Sequence, residues 1–246
     1  MDTSVYNCHS LFQPMNPMLF LLYRLFFPKH CAVCGALLRN GEEMMCLTCE
    51  TGLPLTGYGH TPGNPAEQRF WGRIELQRAS SFFFYAPDNG YRSLILQLKY
   101  MGRKDIGRYL GRMAGSMLQK EGFFEGIDGL LTVPLHPKRL RKRGYNQSDC
   151  IAQGISDVTG IPIERYGIVR TIYSETQTHK QLIERWTTTR QAFALHPKAK
   201  LDGKHLLLID DVLTTGATLS ACAEAVLQQA SSAQISIFTL GIAHHD

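Results

Sequence analysis

Asp210 and Asp211 are adjacent carboxylates placed between four aliphatic residues, Leu206 to Ile209, and a threonine- and glycine-rich turn, Thr214, Thr215, Gly216, Ala217 and Thr218. Each part points to one piece of chemistry. Successive backbone N–H groups, several hydroxyls and a glycine able to take positive φ, all leading into a helix N-terminus, cradle a phosphate. Two carboxylates beside such a cradle accept ribose hydroxyls or hold a hydrated Mg2+. Together these residues suit a phosphorylated sugar. The plain alternative is an ordinary strand, Asp-capped turn and helix. A Walker B strand would need a G-x-x-x-x-G-K-[ST] loop elsewhere. The nearest match, Gly102 to Tyr109, carries Arg108 and Tyr109 where Lys and Ser/Thr are required, which argues against a P-loop nucleoside triphosphatase.

The elements around these residues give them a position. An unbroken run such as Leu206 to Ile209 reads as a parallel strand buried on both faces, so the acids fall at its carboxyl end, where open α/β sheets bind ligands. Thr218 to Gln229 reads as the helix that follows, and Ala233 to Ile242 as a strand closing the sheet. Earlier strands are expected at Arg78 to Tyr85, Gly129 to Pro134 and Ile163 to Arg170, with helices at Tyr91 to Lys99, Asp105 to Gln119 and Tyr145 to Thr159.

Two further stretches could meet an anion. Lys138, Arg139, Arg141, Lys142 and Arg143 put five cations into six positions directly after a strand. Like charges at that density repel unless an anion or solvent screens them. The run is expected to be a basic loop for pyrophosphate or another phosphate ligand, with a solvated surface or a nucleic-acid patch as the other readings. Thr171 to Arg190 is a long polar excursion inside a compact domain, as lids and binding loops are. Arg185 and Arg190 in it are suited to a phosphoryl group; a surface helix with solvated charges is the alternative.

The cysteines form a separate constellation. Cys31-x-x-Cys34 and Cys46-x-x-Cys49 are two knuckles separated by eleven residues containing Asn40-Gly41. Four thiolates on two tight turns match a closed, structural Zn2+ site. Disulfides and a thioredoxin-like redox pair are the weaker alternatives, and the absence of a recognisable export signal counts against the first.

The chain has 246 residues, 44% hydrophobic and 19% charged, with a net charge of +5, the composition of a folded soluble protein with a mild excess of cations. Met18 to Phe27 is apolar but too short to span a bilayer and is interrupted by Arg24. It is expected to pack as a helix, with membrane-surface attachment as the alternative, and the whole to be cytoplasmic. The expected organisation is a tail and apolar helix over 1–27, a zinc-ribbon-like module over 28–56, a glycine- and proline-rich linker over 57–77, and an α/β domain over 78–246.

The Leu206 to Ser220 stretch is similar to the motif that binds phosphoribosyl pyrophosphate (PRPP) in type I phosphoribosyltransferases. Four stretches in order narrow the likeness: the cysteines from Cys31 to Cys49, Val133 to Gln147, the Gln177, Arg185, Ala192-Phe193 pattern, and Ile209 to Thr218. Together they resemble the ComF/GntX family of phosphoribosyltransferase-like proteins, associated with competence and the use of external DNA. The resemblance implies a type I phosphoribosyltransferase-like parallel sheet flanked by helices, preceded by a small four-cysteine zinc module. It implies that Asp210 and Asp211, as the catalytic acids, hold the ribose hydroxyls of PRPP with Mg2+, and that Thr214 to Thr218 hold its 5′-phosphate. It further implies a pyrophosphate loop at Val133 to Asn146 and a flexible loop at Thr171 to Arg190. Implied partners are PRPP or a related phosphosugar, and single-stranded DNA or DNA-uptake machinery. Thr188 and Lys180 depart from the family pattern, in the flexible loop. A non-catalytic module handling single-stranded DNA is the competing function.

Overall fold

The computed structural model describes residues 26, 28–59, 61–86, 88–170 and 192–243. The chain divides into two compact units, Met1–Thr51 and Gly52–Asp246. The apolar segment expected at Met18 to Phe27, apart from Phe26, and the flexible loop expected at Thr171 to Arg190, with Gln177, Lys180, Arg185, Thr188 and Arg190, lie outside the described residues.

In the first unit the two cysteine knuckles are tied by backbone pairing. The N–H of Ala32 donates to the Met44 carbonyl at 2.9 Å, and that of Cys31 to the Ala36 carbonyl at 2.8 Å. Helix α1, Leu47–Thr51, carries Cys49, while Leu38, Met44 and Met45 form a small buried core.

The second unit begins earlier than the composition indicates. Residues 57–77, expected to be a linker, contain helix α2, Pro65–Gln68, and pack into this unit's core. The side chain of Asn64 caps α2, accepting from the N–H groups of Ala66 and Glu67, and its amide donates to the Ala79 carbonyl at 2.9 Å. Ala66 and Phe70 are fully buried. Glycine and proline shape the turns here, but the sparse apolar residues between them decide where the segment goes.

The main sheet has four parallel strands in the order β1 (Ala79–Tyr85), β6 (Gln234–Ala243), β5 (His205–Leu213), β2 (Gly129–Thr132). The parallel sheet between helices agrees with the expected α/β class. The last strand lies inside the sheet, between the first strand and the acidic one. Ile163 contributes one parallel bridge to Leu130, and the strand expected there is instead β3, Ile168–Arg170, paired antiparallel with β4, Phe193–Leu195, in a separate ribbon.

Among the described residues the unit's remaining helices are α3 (Arg92–Tyr100), α4 (Lys104–Lys120), α5 (Pro137–Arg143), α6 (Gln147–Thr159) and α7 (Ala217–Gln229). Gly107, Gly111 and Gly115 recur every fourth residue, so they form one stripe along α4. A Cβ at Gly111 would overlap the Ile151 carbonyl, and one at Gly154 would overlap the Arg108 carbonyl. Glycine therefore lets α4 and α6 touch backbone to backbone, which sets where α6 starts relative to β5. Among the described residues no helix is long and apolar enough to cross a membrane.

Candidate functional site

β5 does not stop before the acids. It continues to Leu213, with Asp210 opposite Thr239 and Val212 opposite Gly241. The aliphatic run Leu206 to Ile209 is completely buried, and from Asp210 onward half-buried and buried positions alternate. The carboxylates therefore belong to the strand and inherit its rigidity.

Asp210 accepts a hydrogen bond from the Ser148 hydroxyl at 3.1 Å and from the Asp211 N–H at 2.9 Å. Burial, and then the neighbouring charge of Asp211, push its carboxyl up to about 7. Ser148 stands in the first turn of α6, held there because the Asn146 side chain caps that helix. Asp211 behaves differently. It is buried and forms an ion pair with Lys99 Nζ at 2.8 Å.

The turn after β5 forms a small open pocket of about 50 Å3. Asp210, Thr214, Thr215, Gly216, Ala217 and Thr218 line it, but Asp211 does not. The expectation that both acids share one cavity with the turn is met by Asp210 alone: Asp211 looks toward Lys99. Gly216 has φ +77°, and a Cβ there would lie 3.0 Å from the Phe70 ring. Arg73 donates to the Thr215 carbonyl at 2.7 Å. Phe70 and Arg73 thus support the turn from beneath and from its rim. Neither was singled out from sequence, although a Phe-Trp pair inside a glycine- and proline-rich stretch is a signal that some of it is buried.

The basic run is a helix rather than a loop. His136 caps α5 through its ring nitrogen, which accepts from the Lys138 N–H at 3.2 Å, and Pro137 occupies the first turn, where proline is tolerated. Helical spacing sorts the cations. Arg139, Lys142 and Arg143 line one side of a groove of about 630 Å3, and Lys99, Tyr100, Met101 and Gly102 line it too. Lys138 and Arg141 are not among its lining residues. The Arg143 guanidinium stacks over the Tyr100 ring at 5.1 Å, and the Tyr145 hydroxyl donates to the Leu98 carbonyl, which ties the two walls together.

Arg170, at the end of β3, is a further cation that the sequence did not mark. It lies over the Phe193 ring at 5.2 Å. Burial, and then the like charge of Arg139, lower its pKa.

The four cysteines meet as their spacing requires. Sγ atoms of Cys31, Cys34, Cys46 and Cys49 lie within 4.8 Å of one another, with Cys34 and Cys46 at 3.7 Å. A tetrahedral Zn2+ with bonds of about 2.3 Å separates its sulfurs by about 3.8 Å. The Cys46 N–H donates to Cys31 Sγ at 3.3 Å. Burial opposes the Cys31 thiolate, but backbone N–H groups of Cys34, Cys46 and Val33 outweigh it and bring this thiol down to about 6. The cluster can hold a metal ion.

Comparison with known proteins agrees with this architecture. Residues 146–244 match the phosphoribosyl transferase domain. The chain is 30% identical to the DNA utilization protein YhgH of Escherichia coli (strain K12), covering 82% of this chain and 86% of that protein. It is 31% identical to competence protein ComFC of Bacillus subtilis (strain 168) over 45% of this chain and 43% of that one. It is 30% identical to competence protein F of Haemophilus influenzae over 52% and 57%. With the parallel sheet, the acid-bearing strand and the four-cysteine cluster in the expected order, the chain belongs to the ComF family of phosphoribosyltransferase-like proteins.

Proposed function

We propose that the protein binds PRPP with Mg2+ and transfers its phosphoribosyl group to an acceptor nucleophile. The observation that carries this reading is a chain of neighbours: the phosphate-sized turn shares a pocket with Asp210, Asp211 follows it on β5 and pairs with Lys99, and Lys99 lines the cationic groove. A ribose bearing a 5′-phosphate at one end and a pyrophosphate at the other has the same order of charges. The turn residues Thr214 to Thr218 hold the 5′-phosphate through N–H groups and hydroxyls. Asp210 and Asp211 accept the ribose hydroxyls. As the bond from the anomeric carbon to pyrophosphate breaks and the bond to the acceptor forms, negative charge moves onto the leaving group. Arg139, Lys142 and Arg143 stabilise it there. The donor set also fits Mg2+, a hard cation that takes carboxylate oxygens such as those of Asp210 and Asp211. When bound, Mg2+ held by these acids supplies charge neutralisation to the departing pyrophosphate.

The four thiols are read as a structural zinc site, because the closed donor set leaves no position for a substrate.

One observation favours a second reading. Tyr100 is 67% exposed beside four groove cations, and it supplies the aromatic surface that the basic run lacks in sequence. A base could stack there with the backbone along the cations, as in single-strand binding. Calorimetric titration separates the two. The first expects PRPP with Mg2+ to bind, and Asp210→Asn with Asp211→Asn to abolish it. No heat at millimolar PRPP removes it. The second expects strongly salt-dependent binding of a short oligonucleotide, unaffected by the double Asn change and weakened by Tyr100→Ala.

A further inference from the structure

The Asp211–Lys99 pair raises a problem that its own geometry answers. One of the two acids is already satisfied: Lys99 Nζ sits 2.8 Å from Asp211 Oδ1, and the two side chains are 22% and 13% exposed. A ribose hydroxyl or a divalent ion approaching Asp211 meets an occupied carboxylate. Lys99 stands at the end of α3, one residue before its last, and also lines the groove that holds Arg139, Lys142 and Arg143.

We propose that Lys99 is an exchangeable counter-ion: it neutralises Asp211 and, when a ligand takes that carboxylate, turns its ammonium into the groove to meet the ligand's diphosphate. This makes Lys99 a positioning residue of the same site, and in its second half it rests on the phosphoribosyl reading above.

Three features support exchange rather than a fixed structural bridge. Lysine is a point charge on a flexible four-carbon stem, so its head can move without the two-point geometry that an arginine would impose. The pair keeps partial access to solvent, so a ligand can reach the carboxylate. The destination is an open groove of about 630 Å3 already lined by Lys99 itself, so no backbone movement is needed. The neighbouring charges favour the direction of travel. Without an anion, the Arg139, Lys142 and Arg143 side chains repel a fourth cation, which keeps the ammonium at Asp211. Once a diphosphate lies among them, the repulsion becomes attraction. Binding at the acids and binding in the groove are thereby coupled through one side chain.

The test uses the full chain, with Lys99→Met and Lys99→Arg, and three probes: Mn2+ alone read by electron paramagnetic resonance, inorganic pyrophosphate with Mg2+, and PRPP with Mg2+. Lys99→Met is expected to bind Mn2+ more tightly, by about tenfold, because the resident competitor is gone, and to bind both phosphate ligands about tenfold more weakly. Lys99→Arg, whose guanidinium grips Asp211 at two points, is expected to bind Mn2+ no more tightly than the wild type and to bind the phosphate ligands more weakly. Opposite signs for the metal and the phosphates are the signature, since a merely structural lysine would weaken all three. Weakened or unchanged Mn2+ binding in Lys99→Met overturns the proposal. If that variant does not fold, the wild-type protein still decides. Acetylation of Lys99, followed by mass spectrometry, is expected to quicken with Mn2+ and to slow with pyrophosphate; a rate indifferent to both overturns the proposal. Mn2+ exchange and pyrophosphate protection without any PRPP binding would uphold Lys99 and sink the phosphoribosyl reading instead.

Discussion

Asp210 carries a protonation state that folding imposes on it. Its carboxyl is pushed up to about 7, by burial first and by Asp211 second, whereas in an unfolded chain it ionises near the ordinary 3.8. The folded state therefore binds the proton more tightly than the unfolded state. Its contribution to stability is largest below the unfolded value and declines as pH rises from about 4 to about 7. Asp210→Asn is expected to stabilise the protein at pH 8, by about 1–2 kcal/mol, and to flatten the decline between those values. Urea titrations at pH 5 and pH 8 read both effects; an equal loss of stability at the two pH values would contradict them. The same ionisation makes a ligand site work better above neutrality, since the carboxylate accepts from hydroxyls more strongly than the protonated acid and attracts a cation. Site and stability pull in opposite directions at this residue, as they do at many functional positions. Its existence as a candidate was legible from the paired acids. Its unequal partnership, Ser148 for one acid and Lys99 for the other, was not, because both partners are distant in sequence and are brought in by helices.

Two elements hold the site in shape. The turn depends on Gly216, whose φ of +77° strains any side chain and where a Cβ would press on the Phe70 ring at 3.0 Å. Gly216→Ala is expected to cost about 1–2 kcal/mol of stability from the left-handed backbone alone, and to weaken phosphate binding at the turn. Thermal unfolding together with inorganic phosphate titration checks it. The α4–α6 crossing is the second. A methyl group at Gly154 would meet the Arg108 carbonyl, so Gly154→Ala must move α6. The expected loss is about 1–3 kcal/mol, with the Ser148 contact to Asp210 disturbed. A crystal structure of the variant with α6 unmoved would contradict this. The regular spacing of Gly107, Gly111 and Gly115 could have revealed a close helix partner in the sequence, but not which helix it was. The helical state of residues 137–143 was obscured by their charge. Proline at the start and cations in the last turn are both favourable in a helix, and these local signals prevail over repulsion in a segment so short.

At the scale of the molecule, two units have different sources of stability. The larger one buries a four-stranded sheet, while the smaller has a handful of core residues and four converging thiols. The protein is expected to carry about one zinc ion per chain. Removing it with a strong chelator at low pH is expected to unfold the first unit and leave the melting of the sheet domain nearly unchanged. Metal analysis and circular dichroism check both outcomes. A single cooperative loss of all structure would show that the two units do not fold independently.

The sequence by itself determined the class of the fold, the strand that carries the acids, the turn that follows it and the clustering of four cysteines. Each is a local pattern: a buried apolar run, a glycine where the backbone must turn left, paired knuckles. Tertiary structure decided the rest. It sent residues 57–77 into the core through Phe70, selected Arg139, Lys142 and Arg143 from five cations by helical phase, and set Lys99 against Asp211 across 112 positions of chain. The physical reason is common to all three. Which polar groups end up together depends on how helices pack over the sheet, and that packing is settled by backbone approach and buried area rather than by the charged residues themselves.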